Sequence, residues 1–153
     1  MISAKPRLLA GACGGSTAVE FALVLPMFLM LVFGGIEFGR LLWTKQALQE
    51  TAIAGARCMA IAQGSTKTES PCASGSSYSA TSTKSFIQTV ANGWGVSVPT
   101  SGIALYPTGN TTACTGLSQV TLTSTFTSVA PSLVQLAAGG TTLTATACFP
   151  NNS

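Results

Sequence analysis

The side chains able to do chemistry in this 153-residue chain are few, and what is missing narrows the function. There is no histidine and no aspartate; all four acidic residues are glutamates. The commonest general base, the commonest metal ligand and every Ser-His-Asp or Cys-His arrangement are therefore absent. We expect a protein that is not an enzyme, with no catalytic residue and no cofactor. Five cysteines remain, with Cys13 near the N-terminus and Cys58, Cys72, Cys114 and Cys148 forming an even set further on. A zinc site competes for the four, but no Cys-x-x-Cys spacing exists and no histidine can help, so no metal is expected.

The remaining chemistry lies around one glycine and one carboxylate. Gly15 precedes Ser16, and Glu20 stands five residues past the glycine, just inside an apolar run. From Phe21 to Ile36 there is no charge, sixteen residues in all. At 1.5 Å each they span about 24 Å. Adding Ala18 and Val19, with Glu20 and Glu37 snorkelling, approaches the roughly 30 Å of bilayer hydrocarbon. One membrane span follows. Lys5 and Arg7 precede it, while Glu37, Arg40, Lys45 and Glu50 beyond it sum to zero. The positive-inside rule then keeps the N-terminus cytoplasmic and the C-terminal part outside. A secretory signal fits poorly, because the run exceeds 7–15 residues and no small-x-small site closes it. A lipoprotein signal ending at Cys13 fails as well, since the main apolar run lies after the cysteine. A net charge of +3, sparse and scattered, gives no nucleic-acid face.

The elements that position these residues can be read in order. The helix is expected to begin near Thr17, which with Glu20 forms the capping-box pattern Thr-x-x-Glu. It continues past the membrane, with Ala47, Leu48, Thr51, Ala52, Gly55, Ala56 and Met59 recurring at three- and four-residue spacing up to Gly64. Gly35 and Gly39 make a small-xxx-small pattern, continued loosely by Ala47, Thr51 and Gly55, and this predicts a helix-packing face. Trp43 lies where an indole suits a membrane interface. Residues 64–80 read as a loop pinned by Cys72. Residues 81–92 put Phe86, Ile87, Val90 and Ala91 on one face of a short helix. Ile103–Tyr106 is a possible strand. In 120–127, Val120, Leu122 and Phe126 alternate with threonine; in 142–149, Leu143, Ala145, Ala147 and Phe149 form the apolar face. Such alternation predicts a half-buried antiparallel pair, and Pro131 to Gly140 between them reads as helical turns.

The fold class is therefore α+β. Residues 1–15 are a leader, 16–63 an extended helix, and 64–153 a small outer domain. An even cysteine set beyond a membrane segment reads as two disulfides in an oxidising compartment. Cys58 lies near the end of the helix and Cys72 in the loop after it; Cys114 precedes one strand and Cys148 ends its partner. Of three pairings, Cys58–Cys72 and Cys114–Cys148 are expected.

Three segments carry a resemblance to a known family. Gly15 to Pro26 (Gly-Ser-Thr-Ala-Val-Glu-Phe-Ala-Leu-Val-Leu-Pro), Gly35 to Arg40 (Gly-Ile-Glu-Phe-Gly-Arg) and Ala54 to Arg57 (Ala-Gly-Ala-Arg) closely resemble the TadE-like family. These are pseudopilins or minor pilins of the tight-adherence (Flp-type IVb) pilus system, with a pilin-like fold. The resemblance implies cleavage between Gly15 and Ser16 by a membrane prepilin peptidase, with Glu20 as the fifth residue of the mature helix. It implies assembly with other pilins on a pilus platform for surface attachment and biofilm formation. The four cysteines are no part of the family pattern. The expected location is the bacterial inner membrane, single-pass, with the outer domain periplasmic and some copies in an extracellular pilus. The competing expectation is a single-pass anchor for a small periplasmic binding domain that never polymerises. A type II secretion pseudopilin is a variant of the first, and the Gly-Ile-Glu-Phe-Gly-Arg segment argues for tight adherence instead.

Overall fold

About a third of the chain is one helix, α1 (Gly14–Gln63), and it continues through Pro26. A mid-helix proline removes one backbone hydrogen bond, yet the surrounding leucines, methionines and alanines are strong helix formers and carry the helix across. The computed structural model describes residues 14–64, 70–128, 131 and 140–151. The leader through Cys13, residues 65–69 and the helical turns expected within 132–139 lie outside the described residues. The chain divides into two compact units, Met1–Ile36 and Glu37–Ser153. The division falls inside α1, between the sequence boundaries at 15/16 and 63/64.

In the second unit the α1 residues from Leu41 onward change character. Leu41, Leu48, Ala52, Ala56 and Met59 are buried at helical spacing, with Ala47, Thr51 and Gly55 buried beside them. The buried Thr51 hydroxyl donates to the Ala47 carbonyl at 2.7 Å, so it enters the core without an unmet hydrogen bond. Next comes a small hairpin, β1 (Ala73–Ser74) and β2 (Ser77–Tyr78), within the segment expected to be loop. Its strands are polar and two residues long, so no periodicity marks them; the Gly75-Ser76 turn is the one signal.

Helix α2 (Ala80–Gly93) is capped by Ser79, whose hydroxyl accepts the Ser82 N–H at 3.2 Å. It ends where the Trp94 N–H bonds back to the Ala91 carbonyl and the Gly95 N–H to that of Asn92. Gly95 has φ +74°, a left-handed conformation that a side chain would resist, and it sets the turn that presents Trp94.

The sheet is an antiparallel meander of β3 (Ile103–Tyr106), β4 (Leu117–Thr125) and β5 (Thr142–Pro150). Ile103 pairs with Leu122, and β4 runs in register with β5 from Leu117↔Pro150 to Thr125↔Thr142. The inner face is Val120, Leu122, Phe126, Leu143, Ala145 and Ala147, all buried against the core residues of α1 and α2. The outer face carries Thr121, Thr123 and Thr125 opposite Thr146, Thr144 and Thr142. The α+β expectation thus holds. β4 starts three residues earlier than the alternation indicated, because Ser118 and Gln119 are buried yet bonded. Ser118 accepts Gln63 Nε2 at 2.7 Å and donates to Asn151. The Gln119 side-chain Oε1 accepts the Asn110 and Thr111 N–H groups at 2.7 and 3.2 Å.

Gly55 shows how closely the core elements meet. A Cβ there would lie 2.8 Å from Ile87 Cγ1 and 2.9 Å from Cδ1, closer than carbon atoms approach. Overpacking costs roughly 1–3 kcal/mol, against about 1 kcal/mol that alanine gains over glycine in a helix. Gly55→Ala should therefore destabilise the wild type but become neutral or stabilising in an Ile87→Ala background. Urea unfolding of the four proteins checks this; strictly additive effects would contradict the contact.

Candidate functional site

Among the described residues, the first part of α1 is exposed along its length. Among the described residues one helix is long and apolar enough to cross a membrane, and none of its most apolar 18-residue stretch is buried. Phe21, Leu23, Met27, Phe28, Met30, Leu31 and Phe33 are all exposed. Gly15 and Ser16 lie in the first turn of α1, and Glu20 is exposed one turn on. Thr17 and Glu20, the residues of the capping-box pattern, both lie within the described helix.

The expected helix-packing face also divides. Gly35 and Gly39 have no heavy atom within 4 Å of where a Cβ would stand, outside their own helix backbone and chain neighbours. Ala47, Thr51 and Gly55, read as the continuation of that stripe, are buried within the second unit. The same small side chains that suit close approach between molecules are used for close approach within one.

Just past Ile36 three contacts gather at the start of the second unit. Arg40 bonds Glu37 at 3.1 Å, one turn apart. Its guanidinium lies 5.5 Å from the centroid of the Phe126 ring, immediately past the end of β4. The Thr44 hydroxyl donates to the Arg40 carbonyl at 2.8 Å. The ion pair is exposed and contributes little alone, but the ring contact adds about 0.5–1 kcal/mol and ties α1 to the sheet. Trp43, an interfacial anchor in the sequence reading, packs edge-to-face on Trp94 with ring centroids 5.9 Å apart. Neither Trp94 nor Phe126 was singled out as a partner from the sequence. A tryptophan set between Gly93 and Gly95 was the available signal for Trp94.

The cysteines pair as Cys58–Cys72 and Cys114–Cys148, with Cα–Cα distances of 5.8 and 5.7 Å. The first joins the end of α1 to the segment leading into the β1–β2 hairpin, where Ala62, Tyr78 and Phe86 pack around it. The second fastens the 107–116 loop to β5, above the Gln119 carboxamide that binds the same loop. Among the described residues no group of three or more His, Cys, Asp or Glu is placed to hold a metal. Burial pushes the Tyr78 phenol above its ordinary value of 10.0, with the Thr83 hydroxyl pulling weakly the other way.

A family model described as TadE-like protein matches residues 15–57. The resemblance drawn from the Gly15–Pro26, Gly35–Arg40 and Ala54–Arg57 segments is borne out over that stretch, consistent with a TadE-like pilin of the tight-adherence system. The matched stretch takes in the exposed apolar part of α1, the Glu37–Arg40 pair and the core-facing part up to Arg57. No curated protein and no solved structure matches the chain.

The two disulfides close rings bounded by cysteines 14 and 34 positions apart. By the loop-entropy argument they stabilise the fold by roughly 3 and 4 kcal/mol respectively. Replacing Cys114 and Cys148 by alanine should lower the unfolding free energy by a few kcal/mol and open the 107–116 loop to protease. Urea unfolding with limited proteolysis measures both. Unchanged stability and an uncut loop would show that the hydrogen bonds to Gln119 hold the loop alone.

Proposed function

We propose that the TadE-like segment at residues 15–57 makes this chain a minor pilin that helps assemble a tight-adherence pilus for surface attachment and biofilm formation. On this reading the apolar part of α1 spans the bacterial inner membrane once, N-terminus cytoplasmic, with the second unit in the periplasm. A prepilin peptidase cuts between Gly15 and Ser16. The helix then leaves the bilayer and packs among other pilins and pseudopilins on the assembly platform. The single observation that carries the reading is that the match falls on a helix whose apolar part is exposed among the described residues. Such a surface belongs in lipid or against other apolar helices.

The residues at the start of α1 suit this sequence of events. Gly14 and Gly15 open the helix, and glycine in a helix costs about 1 kcal/mol relative to alanine, so the first turn unwinds cheaply into a protease cleft. Cleavage leaves a new α-ammonium on Ser16 at the helix N-terminus. The helix dipole disfavours a positive charge there. A carboxylate near it relieves that cost, and Glu20 is the acidic residue nearest in sequence. In lipid a carboxylate is itself expensive, about 2.5–3.5 kcal/mol for an acidic residue at the bilayer centre and less near the interface. Its expense is met when Glu20 pairs with the ammonium of a neighbouring subunit as the helices bundle.

A helix-terminal hydrogen bond works as well with glutamine, whereas pairing with an ammonium needs the charge. Glu20→Gln should therefore leave the protein folded, membrane-inserted and cleaved, yet deplete it from sheared pili or abolish piliation. Immunoblots of membrane and sheared-surface fractions, with adhesion counts, read the outcome. Normal pili and attachment from the glutamine variant would remove the intersubunit role. A wild-type protein that stays wholly in the membrane fraction of piliated cells would favour the non-polymerising anchor.

A further inference from the structure

Two tryptophans occur in the chain, Trp43 and Trp94, fifty-one residues apart, and the fold brings them together at the surface. They meet edge-to-face, and Trp43 Nε1–H reaches the Trp94 carbonyl at 3.4 Å. Both stay open to solvent, at 57% and 43% exposure, and Leu42 beside Trp43 is exposed as well. A monomer gains nothing from displaying both indoles, since either would be better covered. Lys45 shares one shallow groove with Leu42 and Trp43, placing an ammonium beside the apolar patch.

We propose that Trp43 and Trp94 form a two-indole platform that seats the second unit on the headgroup layer of the bilayer. The inference rests on the single-pass reading of α1 and adds a second, sequence-distant anchor to it. Trp43 follows Ile36 by seven residues of one helix, about 10 Å of rise. That is comparable with the headgroup depth beyond the hydrocarbon, less any helix tilt. Indoles favour that layer because the ring is apolar while the N–H is polar. Phe38 and Leu42, also exposed, stand between Ile36 and the pair in sequence. Lys45 complements lipid phosphate. The αL turn at Gly95 holds Trp94 in place from the other side. The occupant is therefore lipid, and a second copy of the chain is the alternative that the experiment must separate.

Because the chain has two tryptophans, its emission reports this site alone. Full-length protein is reconstituted in phosphatidylcholine–phosphatidylglycerol vesicles carrying bromine either near the carbonyls or deep in the acyl chains. Trp43→Phe isolates Trp94, and Trp94→Phe isolates Trp43. The prediction is that Trp94 loses emission to shallow-brominated lipid more than to deep-brominated lipid, and is shielded from aqueous acrylamide. Wild-type protein labelled with fluorotryptophan, observed by 19F NMR with headgroup spin-labelled lipid, gives the same readout without substitution. Trp94 indifferent to brominated lipid but open to acrylamide overturns the proposal. So does Trp94 shielded only at high protein-to-lipid ratio, which identifies a contact between copies. If Trp43 is also untouched and alkaline carbonate extracts the protein, the span itself is not in the membrane and both readings fall. If carbonate leaves it membrane-bound, only the platform falls.

Discussion

Sixteen uncharged residues, left exposed among the described residues, set the terms for the rest of this protein. Apolar surface exposed to water is unfavourable in proportion to its area, at roughly 25 cal/mol per Å². An entire helical face of phenylalanine, leucine and methionine must therefore be covered by lipid or by other helices. Whatever the second unit does, it does at the end of that helix. Contacts within the chain divide at the same place, between Ile36 and Glu37. One continuous helix runs through both units, and its charge-free run ends at Ile36.

Beyond Glu37 the helix trades bulk for closeness. Ala47, Thr51, Ala52, Gly55 and Ala56 keep the α1 surface thin. Ile87 of α2 can then lie on Gly55, and the inner face of a three-stranded sheet can pack on the same core. Two covalent ties reinforce this core. One disulfide fastens the end of α1 to the hairpin segment; the other fastens the 107–116 loop to the edge strand β5. At the opposite end of this part of α1, Arg40 on Phe126 and Trp43 on Trp94 tie the helix to the sheet and to α2.

What the sequence disclosed and what it hid follow from the same physics. The threonine alternation in 120–127 and 142–149 named the faces of β4 and β5 correctly, because period two is set by the pleat alone. Leu117–Gln119 escaped notice because Ser118 and Gln119 are polar, and their burial depends on partners at Gln63, Asn151 and the 107–116 loop. The 73–78 hairpin was hidden by its length. The small-residue stripe was read too far because spacing cannot say whether a close neighbour is another molecule or the same chain. Only the fold shows that Gly55 is occupied and Gly35 is open. Trp94 was out of reach for the same reason, since its partner lies fifty-one positions away.

The proposed reading of the TadE-like match over residues 15–57 turns on one event, removal of the leader ahead of Ser16. That event separates an assembling pilin from a permanently anchored domain. Intact-mass and N-terminal peptide mass spectrometry of the wild-type protein, purified from membranes and sheared pili, measures it most directly. The account predicts a chain beginning at Ser16 in both fractions. A chain beginning at Met1 or Cys13 would contradict it.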